Sequence, residues 1–178
     1  ATKSCHMDGV TVNAAEATAV ADLRDSPGDV AMATVLLDHQ VAMALILDGR
    51  LLSGVTRRTG DIAHIVAGTP GPVCDECGHM CLQQQLLALR TDPATATLLD
   101  AAHALAAVLA PIAAGVELTE VVLSGFPDAV ADELAGLTHR SLRTRMLDEH
   151  VPAVRVSKRG PSAAMIGAAA LMLYRLLG

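Results

Sequence analysis

Aromatic residues are almost absent from this chain, which has no Trp, one Tyr and one Phe in 178 residues. Cations are scarce too, with 13 Lys and Arg against 19 Asp and Glu and a net charge of −6. Nucleic-acid binders draw affinity from clustered cations on phosphate and, on single strands, from aromatic stacking. The chain has no dense Lys/Arg run and almost no aromatics, which argues against specific DNA binding by these residues alone. The one basic cluster, Arg140, Arg143 and Arg145, reads as a solvated helix face. Disorder is excluded by 52% hydrophobic content at this modest net charge. The length suits one domain, or one lobe of a larger protein.

Uninterrupted apolar runs are also lacking. The stretch 101–116 is broken by His103 and Pro111, and 163–174 is followed by Arg175. Both fall short of the roughly 20 residues a membrane span needs, so both are expected to be buried helices. No signal peptide opens the chain. It begins with Ala1 rather than Met, which reads as loss of something upstream. Cys5-His6-Met7 carries little weight as a metal site.

What remains is patterned as mixed α/β. An Ala-rich helix is expected over 13–23, ended by Ser26-Pro27-Gly28. Aliphatic, β-branched runs at 30–37, 41–47 and 50–55 read as a three-strand meander, with Asp48-Gly49 as its second turn. Helices follow at 82–89 and 93–114, a strand at 119–124, helices at 128–135 and 138–149, a strand at 151–156 and a helix at 161–177. The segment 59–80 differs, since its four Gly and two Pro forbid a long regular element.

Three of the four cysteines, Cys74, Cys77 and Cys81, lie within eight residues of each other in that stretch. Disulfide frameworks spread cysteines across loops, whereas a tight triplet in a Cys-poor chain points to metal ligation in a reducing cytoplasm. With His64 they form a Cys₃His set suited to tetrahedral Zn²⁺, and with no open position the site would be structural. A Gly/Pro-rich loop buries too little apolar surface to hold itself, and metal binding would supply the missing free energy. By spacing alone His79 rivals His64, and Glu76 is a rival oxygen ligand.

These residues resemble the ROK family (repressor, open reading frame, kinase), over nearly the whole chain from Val12 to the C-terminal helix. In that family a glycine, a Glu, two residues and a His precede a Cys-x-Cys-Gly-x-x-Gly-Cys loop that binds zinc. Gly60-Asp61-Ile62-Ala63-His64 fits the first part, and the separations from His64 to Cys74 and from Cys74 to Cys81 are the family's. The resemblance thus favours His64 over His79. The middle cysteine is displaced, because Glu76 stands where the family has it and Cys77 follows one position later. Leu47-Asp48-Gly49-Arg50-Leu51-Leu52-Ser53-Gly54, Val121-Val122-Leu123-Ser124-Gly125 and Ile166-Gly167-Ala168-Ala169-Ala170 fit other family segments. The resemblance implies an actin-like, ribonuclease-H-like fold, with 1–178 as a single C-terminal lobe and its zinc loop at about 60–81.

It also shows where kinase chemistry should lie. Family sugar kinases carry Asn-Asp-Ala-Asn, whose Asp is the general base; here Asn13-Ala14-Ala15-Glu16 puts a methyl group at that place. The family's glycine-rich phosphate turn is replaced by Asp38-His39-Gln40-Val41-Ala42-Met43-Ala44. The Asp-x-Gly-x-Thr phosphate loop does not occur, and the adenosine-bordering glycines are reduced to Ser124-Gly125-Phe126. Of the family's sugar contacts, Asn13 and His64 remain, Asp61 replaces a Glu, and Gln83 replaces another; these four are the candidate sugar-binding residues.

The reading that follows is non-catalytic: the regulatory, effector and oligomerisation domain of a ROK-type transcription regulator. It would be zinc-stabilised, cytoplasmic and homo-oligomeric, at most a weak sugar binder, and would reach DNA only through a module outside these residues. Two alternatives are a divergent ROK sugar kinase or a fragment of one, and a zinc-stabilised scaffold without ligand.

Overall fold

A computed structural model describes residues 13–26, 30–56, 58–68, 70–91 and 94–177; Cys5-His6-Met7, Val12, Pro27-Gly28 and Pro93 lie outside them. The chain order is α1 (Ala14–Leu23), β1 (Met32–Leu37), β2 (Val41–Leu47), β3 (Arg50–Leu51), α2 (Leu82–Ala88), α3 (Thr95–Val116), β4 (Glu120–Ser124), α4 (Asp128–Arg143), β5 (Ala153–Val156) and α5 (Ala163–Leu177). One five-stranded sheet has the order β3-β2-β1-β4-β5. The β1–β2 and β2–β3 pairs are antiparallel, whereas β4 lies parallel to both β1 and β5.

Strand periodicity sorts side chains to two covered faces. Ala33, Val35 and Leu37 of β1, Val41, Met43 and Leu45 of β2, and Val121 and Leu123 of β4 join the larger core with α2, α3 and α4. Met32, Ala44, Ile46 and Val122 point the other way, to Ala15 and Ala19 of α1. On that face α5 packs against α1. The mixed α/β fold expected from the sequence is the one observed.

Several boundaries differ. The expected pair of helices over 128–149 is one helix, α4, that runs through Gly136 to Arg143, because its buried side chains Val130, Leu134, Thr138 and Leu142 recur along one face. After it comes a short 3₁₀ turn at Asp148–His150. The third strand is only two residues long, and Val55 beyond it is fully exposed. The first strand starts at Met32 rather than 30, and the last at Ala153, past Pro152, which has no N–H to donate. Pro111 does not interrupt α3, since it faces solvent, where the freed carbonyl one turn back can be hydrated. The sequence estimate of apolar length is therefore too short. Thr97–Val116 is long and apolar enough to cross a membrane, but half of it is buried within the fold. Ala101, Leu105 and Leu109 are fully buried there, as in a core helix. Arg140 and Arg143 end α4 exposed, as expected of a solvated face, and Arg143 forks onto Asp148 at 2.9 and 3.1 Å.

Candidate metal centre and adjoining cleft

The segment after β3 is pinned to the sheet by a glycine. Gly60 has φ +85°, and a Cβ there would sit 1.7 Å from the Met43 carbonyl oxygen. That close approach lets the Met43 N–H donate to the Gly60 carbonyl at 2.9 Å. The chain then turns through buried Ile62 and Ala63. It is fastened to the start of α2, where the Leu82 N–H donates to the Ile65 carbonyl and the Gln83 N–H to the Ala63 carbonyl. Val66 and Cys81 form an isolated antiparallel bridge. His64 is thereby held beside Cys81, 17 residues later.

The cysteine loop closes on itself. The Gly78 N–H donates to the Cys74 carbonyl at 2.8 Å, the Cys74 N–H to the His79 carbonyl at 2.9 Å, and Gly78 supplies the φ of +71° the turn needs. The ligand atoms of His64, Cys74, Cys77 and Cys81 converge, all lying within 4.8 Å of one another. His64 Nδ1 is 3.8 Å from Cys74 Sγ and 3.7 Å from Cys81 Sγ. Tetrahedral zinc with Zn–S and Zn–N bonds of about 2.3 and 2.0 Å sets sulfur and nitrogen about 3.5 Å apart, close to the two separations His64 makes with Cys74 and Cys81. His79, the rival by spacing, is exposed and contributes its carbonyl to the loop. Glu76, the rival oxygen ligand, instead meets the far side of the imidazole, its carboxylate 3.1 Å from His64 Nε2.

The loop also prepares the sulfurs for a cation. Backbone N–H groups of Cys77 and Glu76 donate toward Cys74 and pull its thiol down to about 6 in spite of burial. Burial pushes the Cys81 thiol up, and the neighbouring Cys74 and Cys77 sulfurs add to that rise. Three thiols packed this closely are poor company when ionised without a counter-ion, and a divalent cation resolves the conflict.

Next to this centre lies a cleft of about 480 Å³ between the start of α1, the β1–β2 turn and the Arg58–Asp61 segment. Asn13 and Asp61 line it, as does Ala14. Asn13 caps α1: its side chain accepts from the Glu16 N–H at 2.7 Å, while the Glu16 carboxylate accepts from the Asn13 N–H at 3.1 Å. His64 and Gln83 are not among the lining residues. Gln83 is buried, and its side-chain carbonyl accepts from the Val41 N–H at 3.4 Å. The four candidate sugar-binding residues are therefore divided, two lining the cleft and two not.

The β1 and β2 strands pair right up to their turn. Leu37 pairs with Val41 and Leu36 with Ala42 in register. The N–H groups of Val41 and Met43 are given to Gln83 and Gly60, so neither is free for a phosphate. Asp38, Asp61 and Arg58 are among the residues that line the cleft. The sequence does not reveal that Gln83 takes this amide, because the partners are 42 residues apart and no local pattern joins them. A second cleft of about 360 Å³ is bordered by Ser124, Gly125, Phe126 and Arg90. There Gly125, at φ +77°, lies so near Leu37 that a Cβ would be 2.3 Å from its carbonyl oxygen.

No protein-family model and no curated sequence relative matches the chain. Solved structures do. The ROK hexokinase of Thermus thermophilus superposes with a TM-score of 0.72 at 20% identity, over 92% of this chain and 65% of that one. A ROK-family glucokinase from Streptomyces griseus, solved with glucose and AMPPNP, gives 0.65 at 19%, over 91% and 67%. A ROK-family transcriptional regulator homologous to the E. coli Mlc protein gives 0.65 at 16%, over 92% and 53%. The chain thus spans about two thirds of the length of the first two and half of the regulator. Similarity at these identities establishes architecture: the chain has the actin-like α/β fold of the ROK sugar kinases and of a ROK regulator.

Proposed function

We propose that the chain is the C-terminal, sugar-kinase-like lobe of a ROK-family protein and serves as the regulatory, oligomer-forming domain of a transcription regulator. Zinc held by His64, Cys74, Cys77 and Cys81 stabilises its loop at about 60–81, supplying a structural cross-link and no step of chemistry. The lobe works in the cytoplasm as a homo-oligomer, and DNA is contacted only by a module outside these residues.

The observation that carries this reading is the state of the cleft. Ala14 has no proton-accepting atom, and the amides of Val41 and Met43 already serve Gln83 and Gly60. Phosphoryl transfer rests on positioning and charge stabilisation, with a base on the attacking hydroxyl; an alanine at the base position and two occupied strand amides weigh against it. His64 Nε2 lies 3.1 Å from the Glu76 carboxylate and the Gln83 carbonyl accepts from Val41, which leaves Asn13 and Asp61 on the cleft and makes sugar recognition weak. The intact protein, given ATP, Mg²⁺ and glucose, N-acetylglucosamine or xylose in a coupled assay, is expected to show no turnover above background. Sustained ADP release dependent on one of these sugars would refute the reading. A divergent kinase is the second reading, favoured by the preponderance of ROK kinases among the similar structures, and that same turnover would establish it.

A further inference from the structure

The residue that departs from the family's cysteine pattern, Glu76, has a place of its own in the structure. Between Cys74 and Cys77, it is carried on the turn that brings both sulfurs to the same point. Its carboxylate projects from an exposed position, 62% accessible, back to His64, and reaches Nε2 at 3.1 Å. The two nitrogens of His64 therefore face opposite ways. Nδ1 looks at Cys74 and Cys81, and Nε2 looks at a carboxylate. A carboxylate in that place favours the tautomer with its proton on Nε2, which turns the Nδ1 lone pair toward the sulfurs.

We infer that Glu76 is a positioning residue for the metal: it orients the His64 ring through Nε2 so that Nδ1 completes the Cys₃His set. The inference rests on the zinc reading above and adds a residue to it. Hydrogen-bonded carboxylates behind ligating histidines fix ring orientation and raise ligand basicity, and their loss costs about 10- to 100-fold in metal affinity. Glu76 binds no metal in this arrangement. The centre keeps one nitrogen and three sulfurs.

The test compares wild type with E76A, E76Q and D75A by zinc competition against a chromophoric chelator, and by the visible spectrum of the Co²⁺-substituted protein. E76A is expected to bind zinc about 10- to 100-fold more weakly, with a retained S₃N cobalt spectrum. E76Q, whose side-chain carbonyl can still accept from Nε2, is expected to recover most of that loss. D75A removes the same charge one residue away and is expected to stay within about twofold of wild type. ¹⁵N chemical shifts of the His64 ring in zinc-loaded protein are expected to report a protonated Nε2 in wild type. E76A with wild-type affinity would overturn the inference. So would equal losses in E76A and D75A, which would reduce the effect to bulk charge. A cobalt spectrum unaltered when His64 is replaced would overturn it as well, since no imidazole would then be on the metal for Glu76 to orient. If wild type itself fails to retain about one zinc per chain, it is the zinc reading that falls.

Discussion

Replacing Gly167 by alanine tests how the cleft-bearing helix is held. Gly167 lies where α5 crosses α1, and a Cβ there would be 1.6 Å from the carbonyl oxygen of Ala17, a backbone atom. To reach even 3.0 Å the helices must part by about 1.4 Å. Overpacking of this kind costs about 3 kcal/mol, at the upper end of the usual range. Alanine is the better helix former by about 1 kcal/mol, so the expected net loss is about 2 kcal/mol. For a domain of this size that lowers Tm by about 4–8 °C. Gly136 is the control. It sits within α4, and its Cβ would meet only Arg140 Nη1 at an ordinary 3.6 Å. Gly136→Ala should therefore gain about 1 kcal/mol and raise Tm by about 2–4 °C. Because α1 presents Asn13 and Ala14 to the cleft, G167A should also alter amide exchange at the start of α1. Differential scanning calorimetry of both variants decides. G167A melting at or above wild type would show that the α1–α5 approach is not as close as the structure places it.

Two further outcomes concern the buried polar network under α1. Arg155 Nε donates to Glu120 at 2.6 Å, with the side chains 21% and 11% exposed. Arg155→Met strands the Glu120 charge and is expected to cost about 3–5 kcal/mol in urea denaturation, with the E120M/R155M double variant recovering much of it; a loss below 1 kcal/mol in the single variant would contradict this. Asp22 is fully buried, and burial holds its carboxyl above the usual 3.8, opposed by the Ser157 hydroxyl and Arg155. A raised folded-state value means that this group's contribution is greatest below about pH 4 and is lost as pH rises through the folded-state value. Asp22→Asn does not titrate, and its stability relative to wild type should improve as pH goes from about 4 to 7. A difference independent of pH would refute that assignment.

The candidate metal centre is legible because its chemistry is local. Cysteines at 74, 77 and 81 sit on one short loop, and only His64 required knowledge of how the Gly60 segment returns to α2. The role of Glu76 was not legible, since a one-residue displacement in a loop looks like noise until the carboxylate is seen on Nε2. The strands were readable from their aliphatic runs. The Gly136-Leu137-Thr138 stretch misled because glycine and threonine weigh against helix locally, whereas burial of Leu134, Thr138 and Leu142 carries α4 through. Long-range polar pairing escaped altogether. Gln83 reaches Val41 across 42 residues, and Ser157 reaches Asp22 across 135, at 2.6 Å. Such partners are chosen by the fold, and no spacing rule announces them. The alanine at position 14 is readable as a letter, but the acceptors of the Val41 and Met43 amides became visible only in the fold.

The most direct measurement of the central claim is isothermal titration of the intact, zinc-loaded protein with Mg·ATP, alone and in the presence of glucose, N-acetylglucosamine or xylose. With the Val41 and Met43 amides engaged and Asp38 and Asp61 lining the cleft, no saturable heat is expected for nucleotide at millimolar concentration, and none for the sugars in the micromolar range. Micromolar binding of Mg·ATP, enhanced by any of these sugars, would contradict the account and return the lobe to the kinases it resembles in fold.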